Sequence, residues 1–214
     1  MSYVGPQPIP LGGQTVEKRF TRKDSTWVAP GTLEDAVSLT EVKNHAKISG
    51  TADDADLAIK IDAAIEWCEN YTNRAFTSRG YKMTLEEFSR GPIYLERSPA
   101  QAVTALKYYA TTGTLTTLSS SLYTVDSESE PARIVPVYSG DWPSIQDRIG
   151  AVQVFFTAGY GDTAATVPQS LRQAVMVLAA TWYAYREALI GQVVNEIKMT
   201  LDALLGPYVV YMPS

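Results

Sequence analysis

Apolar residues recur at helical spacing in the first third of the chain. Ser38-Leu39-Thr40-Glu41 has the Ser-x-x-Glu form of a capping box and predicts a short helix from about Thr40 to Ile48. Asp53 and Asp54 then predict the start of a longer helix, because acidic residues favour the positive end of a helix. This helix should end between Tyr71 and Arg74. Its apolar positions share one face: Leu57, Ile61, Ala64, Ile65 and Cys68.

A second helical stretch lies near the end of the chain. Val167-Pro168 predicts the start of a long helix, with proline in the favoured first turn, that runs to about Leu189. Its apolar stripe consists of Leu171, Val175, Leu178, Ala179 and Trp182. Met199–Leu205 predicts one more short helix, which Gly206-Pro207 ends.

The middle of the chain has a different composition, because Thr, Val and Tyr become frequent and Pro and Gly interrupt the helical spacing of apolar residues. Short runs of this composition are typical of strands. Thr111–Thr114 predicts the tip of a hairpin. The predicted strands are Met83–Phe88, Ile93–Leu95, Val103–Tyr109, Leu122–Val125, Arg133–Val137 and Val152–Thr157.

These elements predict an α+β fold with four parts. Residues 1–32 are rich in Pro and Gly and lack apolar periodicity, which predicts an extended arm. Residues 33–214 form the main domain, with helices in 33–80, a β-rich insertion in 81–160, and helices with an apolar tail in 161–214. The arm is interpreted either as a free terminus or as a segment that orders on a neighbouring subunit.

Charge and composition narrow the class of protein. The chain has 214 residues, of which 45% are hydrophobic, and a formal net charge of −5. Proteins that bind duplex DNA tightly usually carry a basic excess, so this balance argues against such binding. A single cysteine excludes an internal disulfide and fits a reducing cytoplasm. No apolar run is long enough to predict a membrane span.

Candidate catalytic and metal-binding chemistry is sparse. His45 is the only histidine, and its neighbours Lys43, Asn44 and Lys47 predict a solvated position on a short helix. A nucleophilic triad needs an oriented histidine base, and a zinc site needs three or four ligands. Phosphate-binding glycine loops are also missing from the sequence. We therefore predict no catalytic, cofactor-binding or metal-binding residues, and no cofactor.

A collinear set of motifs resembles the head–tail connector (adaptor) family of tailed bacteriophages over about residues 38–210. The second predicted helix ends in the pattern Glu-x-Tyr-Thr-x-Arg, and the last long helix carries Trp-Tyr-x-x-Arg-Glu. The motifs are Leu39–Ile48, Asp53–Asp56, Ile65–Arg74, Leu95–Pro99, Tyr123–Asp126, Val154–Tyr160, Val167-Pro168, Trp182–Glu187 and Leu204–Tyr208. The arm of residues 1–32 has no counterpart in this pattern.

The resemblance implies a structural virion protein and not an enzyme. Family members would form a homo-oligomeric ring of about twelve subunits beneath the portal protein. The ring would extend the DNA channel, without sequence-specific DNA binding or membrane contact, and would receive the tail, a stopper or a tail-terminator protein. Assembly would occur in the cytoplasm of the bacterial host. The alternatives are a nucleic-acid-binding packaging factor and another structural protein of tail completion.

A ring subunit must bury surface against its neighbours, and aromatic and arginine side chains are enriched at such contacts. On the last long helix the candidates are Trp182, Tyr185 and Arg186, for which packing inside the subunit is the competing interpretation. At the C-terminus the candidates are Tyr208, Val209, Val210 and Tyr211, because this run is too apolar for a free tail.

Overall fold

The computed structural model of the chain describes residues 35–185 and 191–213. Within them the fold is α+β, as the sequence predicts. The predicted arm, residues 1–32, lies outside the described residues. The helices are α1 (Leu39–Ala46), α2 (Asp54–Thr72), α3 (Gln169–Ala184) and α4 (Gly191–Leu205), with 3-10 turns at Ser120–Leu122, Ala164–Thr166 and Gly206–Tyr208.

The starts of α1 and α2 are built differently. Ser38 and Glu41 form the predicted capping box, in which each side chain binds the other residue's backbone N–H. Asp53 occupies the cap position of α2, but its side chain makes no capping hydrogen bond because its backbone is not extended there. Its carboxylate instead accepts a hydrogen bond of 2.6 Å from the Tyr183 hydroxyl on α3. Helix α2 thus starts where Asp53 and Asp54 predict, and the Asp53 side chain in addition links α2 to α3.

The four helices share one apolar core, and α2 is its central element. All five positions of the predicted α2 stripe are buried, including Cys68, against α3 and α4. Four of the five predicted α3 positions are also buried, while Trp182 is half-buried against the same core. The predicted stripes are thus confirmed.

The two C-terminal helices differ in length from the prediction. Helix α3 ends at Ala184 and not near Leu189, because Tyr185 leaves the helical region with φ −113° and ψ 76°. Helix α4 is 15 residues long and begins at Gly191, well before the predicted Met199. Its Leu201 and Leu205 are buried in the helical core, so packing supports a longer helix than local propensity suggests.

The β-rich part forms two antiparallel sheets that enclose a second apolar core. The sheets have the strand orders β1-β7-β3-β4 and β2-β6-β5. Thr111–Thr114 connects β3 to β4 as the predicted hairpin tip, although β4 itself was not predicted. The strands are β1 (Arg79–Leu85), β2 (Ile93–Tyr94), β3 (Ala100–Tyr109), β4 (Leu115–Thr117), β5 (Tyr123–Asp126), β6 (Arg133–Pro136) and β7 (Val152–Ala158).

Candidate assembly surfaces

Arg74 links the end of α2 to three distant parts of the chain. Its side chain is only 8% exposed. The guanidinium pairs with both carboxylate oxygens of Glu130 and donates from Nε to the Tyr208 carbonyl at 2.6 Å. It also lies 5.8 Å from the ring centroid of Tyr160 and 5.9 Å from that of Tyr208. One buried cation therefore fixes the β-rich part and the C-terminal segment on the same helix end.

The segment after α4 folds back onto α2 of its own subunit. The Val210 N–H donates to the Thr72 carbonyl at 3.0 Å, and the Asn73 side-chain amide donates to the Val210 carbonyl at 2.9 Å. Asn73 adopts the left-handed conformation that ends α2, with φ 55°. The Val210 side chain is only 5% exposed. The segment thus satisfies the Thr72 carbonyl, one of the backbone groups that the end of a helix leaves unpaired.

Glu69 is a buried carboxylate beneath this helix end. Its Oε1 accepts the Phe76 N–H at 2.8 Å, and its Oε2 lies 3.4 Å from the Arg79 guanidinium. Burial raises the pKa of the Glu69 carboxyl, against the opposing effects of Arg79, the Phe76 N–H and Arg97. The carboxylate therefore holds the turn that leads from α2 into β1.

The predicted contact residues fall into an engaged and an exposed group. Trp182 is half-buried against the helical core, and Tyr208 packs there too. Tyr185 is about half exposed at the end of α3, and Tyr211 is 82% exposed. Arg186 lies outside the described residues. The contact of Trp182, Tyr185 and the segment Tyr208–Tyr211 with another chain stays a prediction.

Helix α2 carries an exposed apolar row that the sequence analysis missed. Ile59, Ala63, Trp67 and Tyr71 recur every four residues and are all exposed, with Ile59 at 68%. The Trp67 and Tyr71 rings stack with centroids 5.2 Å apart. We call this row the α2 ridge. Its sequence signal was apolar residues at a helical period outside the buried stripe.

The outer side of the larger sheet carries a group of cations and aromatic rings. The ammonium groups of Lys82 and Lys107 lie 5.8 Å and 5.3 Å from the Phe155 ring centroid. The Arg148 guanidinium lies 3.7 Å from the centroid of the Tyr109 ring. We call these five residues the cationic sheet face. No sequence signal marks it, because the group exists only in the register that pairs β1, β7 and β3.

Residues 35–185 and 191–213 offer few groups that could form a metal-binding, catalytic or small-molecule site. No cluster of His, Cys, Asp and Glu there could hold a metal ion. His45 is exposed on α1, as predicted. An open cleft beside α1 contains Glu41 and Arg172, but these two side chains already pair with each other. No helix among these residues is long and apolar enough to cross a bilayer.

Comparison with known protein families gives a match that spans most of the chain. The model of a family described as "Head completion protein" matches residues 35–195. No curated protein matches the chain.

Solved structures give similar folds across nearly the whole chain. A chain from the "Neck of empty GTA particle computed with C6 symmetry" is 26% identical, with a TM-score of 0.71. A chain from the "Virion of native gene transfer agent (GTA) particle" is 28% identical with a TM-score of 0.69, and one from the "Neck of native GTA particle computed with C12 symmetry" is 26% identical with 0.67. Each match covers 89% of this chain and 96% of the other.

Proposed function

The chain belongs to the head completion protein family, and from this premise we propose that it is a head–tail connector subunit of a phage-like particle. In this role it forms a ring beneath the portal protein at the head vertex. The ring extends the channel for DNA and provides the site to which the tail attaches. The role is structural, and no reaction is assigned to it.

The likeness to neck chains carries this proposal. The match covers 89% of this chain and 96% of a chain from a solved neck, so it includes the helical and the β-rich parts together. The solved necks were computed with C6 and C12 symmetry, which supports a closed ring for this chain as well. We propose about twelve subunits, the number that the sequence resemblance implies.

The proposed ring has partners on both faces and DNA in its centre. The portal lies above it, and the tail, a stopper or a tail-terminator protein lies below. The net charge of −5 suits a channel through which DNA passes without being held, since like charges discourage binding. The protein is then located in the virion, at the head–tail junction, after assembly in the bacterial cytoplasm.

Tyr185 and Tyr211 are the most exposed of the described residues predicted to contact other chains, so we propose them as contacts with the portal or a neighbour. Removing residues 211–214 should leave the subunit folded, because Val210 and its hydrogen bonds remain. Removing residues 208–214 should also destabilise the subunit. The matched substitution Tyr211→Ala removes only the aromatic side chain, and it therefore separates the effect of that side chain from the effect of shortening the chain.

Deleting the gene from its particle-producing genome tests the role directly. We expect heads that package DNA but carry no tails, and restored tails when the intact chain is supplied from a plasmid. The chain without residues 211–214, tested in the same way, should restore fewer tailed particles. Normally tailed particles from the deletion strain would refute the proposed function.

A further inference from the structure

We propose that the α2 ridge of one copy of this chain docks on the cationic sheet face of the next copy, head to tail. This inference rests on the proposed function, since it names the two surfaces that would close the ring. The α2 ridge consists of Ile59, Ala63, Trp67 and Tyr71. The occupant of the α2 ridge is then a second copy of the same chain, because a closed ring of identical subunits needs a surface on each subunit that binds the next one.

The α2 ridge has acidic side chains along one edge. Asp62 and Glu66 directly precede Ala63 and Trp67, and both are exposed. Neither takes part in an ion pair among the described residues. Because they stand four residues apart on one helix, the two like charges repel each other in the free subunit. A positive surface placed against the ridge would remove that repulsion.

The cationic sheet face offers the matching charge. Lys82, Lys107 and Arg148 belong to no ion pair among residues 35–185 and 191–213. Their contacts are with the faces of Phe155 and Tyr109, so both apolar and cationic groups are presented on one surface. Aromatic rings and arginine are the groups enriched where proteins bind each other.

The dimensions of the two surfaces agree. From Ile59 to Tyr71 a helix rises by about 18 Å at 1.5 Å per residue. Strands β1 and β7 have seven residues each, so they run about 23 Å, and four strands are about 14 Å across. One helix therefore fits along the outer side of the sheet. A footprint of this size is smaller than a standard interface, so a single pairwise contact would be weak. Closure of the ring gives every subunit two such contacts at once, which strengthens the assembly.

The α2 ridge lies on the helical part of the subunit and the cationic sheet face on the β-rich part, and each part has its own apolar core. One subunit therefore has two unlike surfaces with which to bind two neighbours. A contact between unlike surfaces of identical chains is heterologous, and it forms a ring when the rotation closes. The division of the domain into helical and β-rich parts, which the sequence predicts, would then serve assembly.

Cysteine cross-linking tests this arrangement in the full chain. The double variant Ala63→Cys/Ala105→Cys places one thiol on the ridge and one on β3 opposite Phe155. The native Cys68 is buried, and burial raises its pKa to about 12, so it does not compete for reagent. A short bismaleimide should give a ladder of covalent multimers on a denaturing gel, both with the purified chain at high concentration and with portal-bound rings.

The controls separate head-to-tail contacts from other contacts. Each single variant, Ala63→Cys or Ala105→Cys, should run as a monomer on the denaturing gel, because a head-to-tail contact then has a thiol on only one of its two surfaces. The matched variant Ala63→Cys/Thr112→Cys has its second thiol on the exposed hairpin tip and should give no ladder. Dimers from a single variant would overturn the proposal, since they would show that like surfaces meet.

Charge reversal is the second test of the proposed contact. Lys82→Glu/Lys107→Glu should lower the ladder yield more than about tenfold, because it sets like charges against each other. Adding Asp62→Lys/Glu66→Lys to the same chain should restore the yield. An unchanged yield after the first reversal would overturn the proposal.

Three other outcomes of these experiments lead to different conclusions. Loss of duplex DNA binding at low salt in Lys82→Glu/Lys107→Glu, with no ladder in the cysteine double variant, would overturn the proposal and assign the cationic sheet face to nucleic acid. Rings of the wild-type chain on the portal that yield no ladder would overturn this pairing and leave the proposed function intact. A ladder from the free chain, without rings on the portal, would support the pairing and contradict the proposed function.

Discussion

Replacing Arg74 with Met tests whether one buried cation holds the subunit together. The change removes the Glu130 ion pair, the 2.6 Å hydrogen bond to the Tyr208 carbonyl, and the contacts with two tyrosine rings. A hydrogen bond from a charged group contributes about 1.5–3 kcal/mol, and a cation over a ring about 0.5–1 kcal/mol. Glu130 is 41% exposed, so its pair adds about 1 kcal/mol at most.

We therefore expect Arg74→Met to lower the free energy of unfolding by about 3 kcal/mol, and the melting temperature by about 6–12 °C. The matched control is Arg133→Met. Arg133 pairs with Asp126 at 2.9 Å, but its side chain is 46% exposed, so the expected loss is below about 1 kcal/mol. Urea denaturation followed by circular dichroism measures both values.

The same variant should also loosen the C-terminal segment. Hydrogen exchange of the Val210 amide, which bonds to the Thr72 carbonyl, should accelerate in Arg74→Met and stay unchanged in Arg133→Met. Equal losses of stability in the two variants would refute the reasoning, because it derives the difference from the burial of Arg74 and from its additional contacts with Tyr160 and Tyr208.

Three further predictions concern the core and its turns. Because the folded pKa of Glu69 is raised, the folded state binds its proton more tightly than the unfolded state, so stability falls as pH rises from 4.5 through the folded pKa. Glu69→Gln should gain stability relative to wild type over that interval, and parallel pH profiles of the urea midpoint would contradict this. Burial raises the pKa of the Cys68 thiol to about 12, so at pH 8 the native protein should react with a thiol reagent about 1,000-fold more slowly than the protein in urea. Similar rates would contradict the burial of Cys68. Gly159→Ala should lower the free energy of unfolding by more than about 3 kcal/mol, because the new Cβ would lie 2.5 Å from the Thr77 carbonyl oxygen. Gly50 has φ +85° but open space around it, so Gly50→Ala should lower it by about 1–2 kcal/mol. Equal losses in urea denaturation would be inconsistent with the close approach at Gly159.

The helices were accessible to sequence reasoning because their signal is local. Ser38 and Glu41 stand three residues apart, and the buried face of α2 repeats within a single helix. The bounds of α3 and α4 depended on packing, which the sequence does not display. Strand β4 was missed because its three residues make no pattern of their own and pair only through β3.

The contacts that join the helical and β-rich parts were not accessible. Glu69 and Arg74 stand five positions apart in the sequence, yet they do not pair with each other. In the fold, Arg74 reaches Glu130, 56 positions away, while Glu69 turns to Phe76 and Arg79. The register in which the strands pair creates the cationic sheet face in the same way, since it brings Lys82 and Lys107 to Phe155 from separate strands. Long-range pairing of this kind has no short-range signal.

Electron microscopy of portal rings tests the central claim most directly. The portal protein of the same genome is co-expressed with this chain, purified and imaged, with portal expressed alone as the reference. The account predicts an added ring of density on the tail-facing side, with about twelve copies of the subunit. Bare portals in the presence of saturating amounts of the chain would contradict it.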